Sequence, residues 1–261
     1  GVGSSHCLPK TAWPPTSEWY TGLGRSIPVK IVKGIDTFLR MRIIHKKIDG
    51  LIVISRYLEN YYNKCKDVVY IPPLVDLNEK KWENKQEKSS DILYLVYAGN
   101  PGKKDRIDFL IEALSQVQRK YQLDIIGIEK NEYVSLYNCE IPHLDQNHII
   151  NFHGRLSHLE ALKIVKHANY SCFFRISDRV TMAGFPTKFS EAISCGTPVI
   201  TNRSSNIEDY LINQNGYLVD NLSCKAISHI INIASFTFET NSNLFDYRRY
   251  RSKMKLFFEK L

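Results

Sequence analysis

Three short segments hold residues whose types and spacing fit a phosphorylated ligand. In GFPTKFSEAISCGTPVI, residues 184–200, Gly184, Phe185, Pro186 and Thr187 lead into a helical pattern carrying Lys188 and, three residues later, Glu191. The first amides of a helix have no intrahelical partner, and the helix dipole favours negative charge there. Cation, open amides and carboxylate together suit a nucleotide diphosphate, with positive charge for the phosphates and an acceptor for ribose hydroxyls. The same two side chains also fit a solvated i,i+3 pair worth about 0.2–0.5 kcal/mol. Gly184-Phe185-Pro186 and Cys195-Gly196-Thr197-Pro198 equally fit ordinary loop punctuation.

The second segment, Gly99-Asn100-Pro101-Gly102-Lys103-Lys104-Asp105, combines flexible backbone with two lysines, which makes a diphosphate cradle or a solvated turn. The third is Gly154-Arg155-Leu156, where Arg155 is a phosphate ligand or an exposed base. Arg175 and Arg179 flank the loop before residue 184 and fit either a phosphate or an ion pair with Asp178. His153 is the one histidine beside a strand end, and a lone histidine carries little weight. With no D-x-D motif and no carboxylate cluster, neither a metal nor another cofactor is expected.

The elements that must position these residues read as alternating strands and helices. Strands are predicted at 91–99, 123–128, 149–154, 170–174, 198–201 and 216–219. Helices are predicted at 107–117, up to 138, at 157–167, in the segment after 184, and at 222–234. Ser157 and Glu160 have the spacing of a capping box. Such alternation over about 150 residues argues for a parallel, doubly wound sheet, whose ligands sit outside the carboxyl ends of the strands. Before residue 90 the pattern gives a helix at 38–47, a strand at 50–55, a helix at 56–64 and a strand at 68–71. Residues 78–90 are polar apart from Trp82 and read as a linker. In the tail, Tyr247, Tyr250, Met254, Phe257, Phe258 and Leu261 fall on one helical face.

The chain has 261 residues, 43% hydrophobic and 24% charged, a globular composition with no apolar run long enough to span a membrane. Residues 1–10 have no apolar core of a signal peptide. The six cysteines show no metal-like or C-x-x-C spacing, which suits a reducing cytoplasm. The net charge of +8 is concentrated at the ends, with 11 basic against 5 acidic residues in 1–72 and 6 against 2 in 241–261. An anionic partner such as a membrane surface or a lipid phosphate fits this distribution, as does a merely solvated surface. No RNA-binding aromatic box or zinc finger is present, so nucleic acid is not expected.

Residues 183–200 resemble the signature of the retaining, family 4 type nucleotide-sugar glycosyltransferases, E-G-F-G-x-P-x-x-E-A-x-A-C-G-T-P-V-I. The form A-G-F-P-T-K-F-x-E is similar to a variant in enzymes that build bacterial surface polysaccharides. Residues 49–55 and 69–76 resemble the end of that family's amino-terminal domain, and 97–113 the opening of its carboxy-terminal domain. The resemblance implies an α/β fold of the GT-B type. A Rossmann-like donor domain would lie at 91–240, a partial amino-terminal α/β domain at 1–77 and a linker at 78–90. The helix at 241–261 would return to the amino-terminal domain. That domain is expected to be longer than the chain supplies. The implied reaction moves a sugar from a nucleotide-sugar donor to a glycan or lipid-linked acceptor, with retention, in capsule, O-antigen or exopolysaccharide assembly at the cytoplasmic face of a membrane.

The resemblance assigns charge stabilisation of the leaving diphosphate to Lys104 and Lys188. It assigns the donor nucleotide to Gly99, Lys103, Arg155, Leu156, Gly184, Phe185, Pro186, Thr187 and Glu191. Two positions depart from the pattern. The family's first glutamate, which holds the donor sugar, falls on Ala183, and an arginine that neutralises the diphosphate falls on Asn100. A truncated or degenerate relative that binds nucleotide without transfer is the alternative these departures allow.

Overall fold

The computed structural model describes residues 27–43, 47–63, 67–83, 91–102, 104–211 and 214–261. Two parallel sheets organise them. The larger has six strands in the order β5-β4-β3-β6-β7-β8, built from β3 (Leu93–Ala98), β4 (Tyr121–Ile126), β5 (His148–Phe152), β6 (Tyr170–Phe173), β7 (Val199–Asn202) and β8 (Gly216–Val219). Counted within this sheet, the order is 3-2-1-4-5-6, that of a doubly wound dinucleotide-binding fold, and the order reverses between β3 and β6. Every residue of β6 and β7 is buried, as expected for parallel strands covered on both faces.

Helices α3 (Ile107–Leu114), α4 (Lys130–Tyr137), α5 (His158–His167), α6 (Arg179–Ala183), α7 (Thr187–Ser194) and α8 (Glu208–Leu211) connect the strands, and α9 (Cys224–Ile233) follows the last of them. Local chemistry fixes their starts. Ser157 accepts from the Glu160 amide at 3.3 Å while Glu160 accepts from the Ser157 amide at 3.0 Å, a reciprocal cap for α5. Asp178 caps α6 in the same way through Thr181. A separate short helix, α6, thus ends at Gly184, and the helix expected after 184 is α7. The chain between them is extended, and Pro186 occupies the cap position of α7 without a side-chain hydrogen bond.

The smaller sheet pairs β1 (Gly50–Val53) with β2 (Asp67–Tyr70) in parallel, with α2 (Arg56–Tyr62) between them. Ahead of it, α1 covers Ile27–Arg42, not 38–47. Pro28 sits at the second position of that helix, where its missing amide hydrogen costs nothing, so the proline does not delay the start. The polar stretch 78–90 is tied down where it is described. A 3₁₀ turn at Lys80–Trp82 buries Trp82 in the core of the larger unit, 6.3 Å from the His158 ring.

The tail follows two 3₁₀ turns, Ser242–Phe245 and Tyr247–Tyr250, before α10 (Arg251–Phe258). Phe257, with Tyr250 and Met254, packs on Val69 and Ile71 of the small unit, and Lys253 Nζ donates to the Tyr70 carbonyl at 2.7 Å. Phe258 and Leu261 are exposed, so the single apolar face expected from 247 to 261 is divided.

The two units touch through specific polar contacts. Ser55, fully buried, donates to the Ala183 carbonyl at 2.8 Å while capping α2. The Tyr70 and Tyr210 hydroxyls lie 2.7 Å apart, and Asn206 bridges the Tyr70 hydroxyl and the Arg56 amide.

Candidate functional site

At the carboxyl edge of the large sheet, glycines end the first three strands. Gly99 (φ +146°), Gly127 (φ +106°) and Gly154 (φ +59°) all lie in the region that favours glycine. The Gly99 amide bonds to the Ile126 carbonyl at 3.1 Å and the Gly127 amide to the Gly154 carbonyl at 2.6 Å, so the strand ends stay paired beyond the ladder. A Cβ on Gly127 would stand 2.1 Å from the Gly99 carbonyl oxygen, and one on Gly99 would stand 2.8 Å from Lys188 Nζ. Gly99 therefore leaves the space that the Lys188 ammonium occupies.

Lys188 lies in the first turn of α7 and points back to the β3 edge. Its Nζ donates to Asp105 Oδ2 at 2.5 Å and to the Tyr97 hydroxyl at 2.9 Å, over the Tyr97 ring. The Tyr97 hydroxyl donates to the same Oδ2 at 2.8 Å, and Arg175 Nε donates to Oδ1 at 2.8 Å. Side-chain exposure is 0% for Asp105, 8% for Arg175 and 12% for Lys188. Two cations thus share one carboxylate, leaving one unit of positive charge almost dry at the edge where this fold class receives ligands. The two Nη groups of Arg175 have no hydrogen-bond partner among the described residues.

The backbone fixes this cluster. Asp105 and Arg175 form an isolated antiparallel bridge, and the Arg106 amide donates to the Phe174 carbonyl at 2.8 Å. The side-chain amide of Asn202, at the end of β7, clamps both the N–H and the C=O of Arg175. Burial pulls Lys188 down to about 8, with Asp105 opposing and Arg175 and Lys104 assisting the fall. For Asp105, burial acts upward but the Lys188 and Arg175 charges prevail, leaving its carboxyl below the usual range. Burial, with the Asp105 charge, raises the Tyr97 hydroxyl well above normal.

The other expected site residues are distributed around this centre. Lys104 is exposed beside the cluster, and Lys103 lies outside the described residues. The amide set expected from Gly184 to Thr187 is narrower. The Gly184 N–H closes α6 on the Val180 carbonyl, Pro186 has none, and the Phe185 side chain belongs to an aromatic group with Phe189, Tyr210 and Phe245. What α7 presents is its own first turn, at Thr187 and Lys188, with no acidic residue there.

Glu191 stands one turn further along α7 and pairs with His158 Nε2 at 3.3 Å. His158 opens α5, directly after the loop with exposed Arg155 and half-buried Leu156, so Glu191 and that loop border the same region. Arg175 binds Asp105 and not Asp178, which caps α6. His153 is held by Asp124 at 2.7 Å. Among the described residues, no group of three His, Cys, Asp or Glu side chains is placed for a metal ion.

Asp105 and Tyr97 were not legible as site residues. An acid following two lysines in a glycine-proline loop reads as solvated, and a tyrosine inside an apolar strand reads as core. The available signal was positional: Asp105 lies between the first strand of the sheet and its helix, where ligand-binding loops lie.

Comparison with known proteins agrees with this architecture. Residues 78–237 match a family described as glycosyl transferases group 1. No curated protein matches the sequence. Among solved structures, sucrose-phosphate synthase from Thermosynechococcus elongatus superposes with a TM-score of 0.63 at 19% identity, covering 86% of this chain and 61% of that one. The lipopolysaccharide outer core galactosyltransferase WaaB, in its apo form, gives 0.61 at 16%, covering 85% and 66%. Anabaena HepE in complex with UDP and glucose gives 0.64 at 15%, covering 86% and 67%. The chain thus spans about two thirds of the length of these structures, and the likeness is one of fold.

Proposed function

The chain belongs to the group 1 glycosyl transferases, and from that premise we propose that it transfers a sugar from a nucleoside-diphosphate donor with retention of anomeric configuration, as family 4 type enzymes do. The observation that carries this reading is the surplus positive charge of Arg175, Asp105 and Lys188, buried at the ligand edge beside the first turn of α7. Burying an uncompensated charge is costly unless an anion joins it. A donor diphosphate is such an anion, and its charge grows as the glycosyl bond breaks. Dry, fixed donors aimed at developing charge contribute about 2.7–4 kcal/mol each in comparable roles. Lys188 and Arg175 are assigned to the diphosphate with Lys104 at its outer side, Thr187 and Lys188 amides to the same group, and Glu191 to the ribose. The backbone at Gly154–Leu156 is assigned to the base. UDP is the first nucleotide to test, because HepE was crystallised with it.

Calorimetry with UDP, GDP and inorganic pyrophosphate tests the assignment. Glu191→Ala is expected to weaken UDP about tenfold or more while leaving pyrophosphate within about twofold, since the carboxylate touches only the nucleoside. Equal loss for both ligands, or none, would remove Glu191 from the ribose. Transfer is read as UDP release from a UDP-sugar that depends on a glycan or lipid-linked acceptor. Binding without release would favour the second reading, a nucleotide-binding relative, to which Ala183 and Asn100 lend support.

The acceptor is proposed to be lipid-linked and met at an anionic membrane surface, as in surface-polysaccharide assembly. Exposed Leu256, Phe258 and Leu261 on the tail lie among exposed Arg251, Lys255 and Lys260, an apolar and basic mixture suited to lipid headgroups. No helix of the described residues is long and apolar enough to cross a membrane. Co-sedimentation with vesicles containing phosphatidylglycerol is expected to exceed that with neutral vesicles by about tenfold and to fall with salt. Equal binding to both would refute the anionic surface.

A further inference from the structure

Lys188 carries its charge on a flexible four-carbon stem, so something must aim it. The candidates in contact are the Tyr97 and Phe173 rings, the Tyr97 hydroxyl and the Asp105 carboxylate. Only Asp105 is both charged and fixed through its own backbone. Its amide bonds to the Pro101 carbonyl at 3.3 Å, its carbonyl accepts from the Tyr137 hydroxyl at 2.6 Å, and it bridges to Arg175. Arg175 is held separately at its backbone by Asn202, whereas among the described residues the second hydrogen-bond partner of the Lys188 ammonium is the uncharged Tyr97 hydroxyl.

We propose that Asp105 is a positioning residue for donor binding, holding the Lys188 ammonium charged and aimed across Gly99 at the place where the diphosphate arrives. The inference rests on the reading of this edge as the donor site. Asp105 does not meet the ligand, since both its oxygens are occupied by Arg175, Lys188 and Tyr97. It acts by opposing the other influences on Lys188, namely burial and the Arg175 and Lys104 charges, which all favour the neutral amine. Lysine then serves where a bidentate guanidinium is absent, at Asn100, because its point charge has been given a direction.

The test is calorimetric titration with UDP and with pyrophosphate between about pH 6 and about pH 9. Wild-type affinity is expected to fall as pH rises past about 8, where Lys188 loses its proton. In Asp105→Asn the fall begins about one unit lower or more, a displacement that a purely structural role would not produce. Lys188→Met should flatten the profile, and Asp105→Asn/Lys188→Met should then bind within about threefold of Lys188→Met. The proposal is overturned if Asp105→Asn keeps the wild-type profile, or if the double variant differs from Lys188→Met by about tenfold. Should Asp105→Asn alone fail to fold, the comparison of Lys188→Met with the double variant decides, since that pair leaves a single buried cation. A wild-type protein that binds neither ligand at any pH would refute the donor-site reading itself, a result separate from either of these.

Discussion

Asp105→Ala is expected to destabilise the large unit by about 3–5 kcal/mol, the cost of leaving buried charges without their counter-ion. At this chain length that corresponds to a fall in melting temperature of about 10 °C. Asp105 is fully buried and accepts from Arg175, Lys188 and the Tyr97 hydroxyl, so its removal leaves two nearly dry cations facing each other and a buried phenol without its acceptor. Lys188 can relieve part of the repulsion by losing its proton. The loss should therefore be largest at the acid end, where the amine keeps its proton even without Asp105, and should shrink as pH rises to about 8, above which the wild-type amine is neutral as well. Asp105→Ala/Lys188→Met should recover a substantial part of the stability, because one of the two cations is gone. Thermal and urea unfolding at two pH values measures all of this. A melting temperature within about 2 °C of wild type would mean that water already screens the cluster.

Lys188→Ala should do the opposite, preserving the fold and removing the ligand. It leaves Asp105 paired with Arg175, a neutral and hydrogen-bonded unit, so the melting temperature is expected to change by only about 5 °C. UDP affinity should drop about 100-fold, the effect of losing a desolvated cation from a diphosphate, equivalent to about 2.7 kcal/mol. Burial sets Lys188 near 8, so the ammonium is present below that pH and lost above it. Affinity should accordingly decline up to about tenfold per unit above that point, whereas Lys188→Arg should bind independently of pH in this range. Unchanged affinity in Lys188→Ala would make the buried cluster purely structural.

The scaffold was legible from the sequence because its signals are local. Ser157 with Glu160 marked the start of α5, and the helix ends at His167 as its periodicity implies. The strand Gly216–Val219 also lies where its apolar run predicts. Strand order follows from contacts between segments distant in sequence, so the sequence yielded the fold class and not the register. The charge cluster was hidden for the same reason. Asp105, Arg175 and Lys188 lie 70 and 83 positions apart in the two ion pairs, and each taken alone resembles a solvated side chain. Local pattern also misled at the tail, where the spacing of six apolar residues assumed one continuous helix and a 3₁₀ turn intervened.

Besides the tail packed on Val69 and Ile71, the small unit is joined to the large one by the bond from Ser55 to the Ala183 carbonyl and by the tyrosine pair. Mechanically they act as a pin. Any rotation of the small unit that keeps these bonds has its axis through them, so displacement grows with distance from Ser55 and vanishes beside it. For such a rotation the chain just before Gly184 is the still point. A side chain of the small unit near Ser55 keeps its distance to the α7 start through such a swing, while one far from it travels on the longest arc.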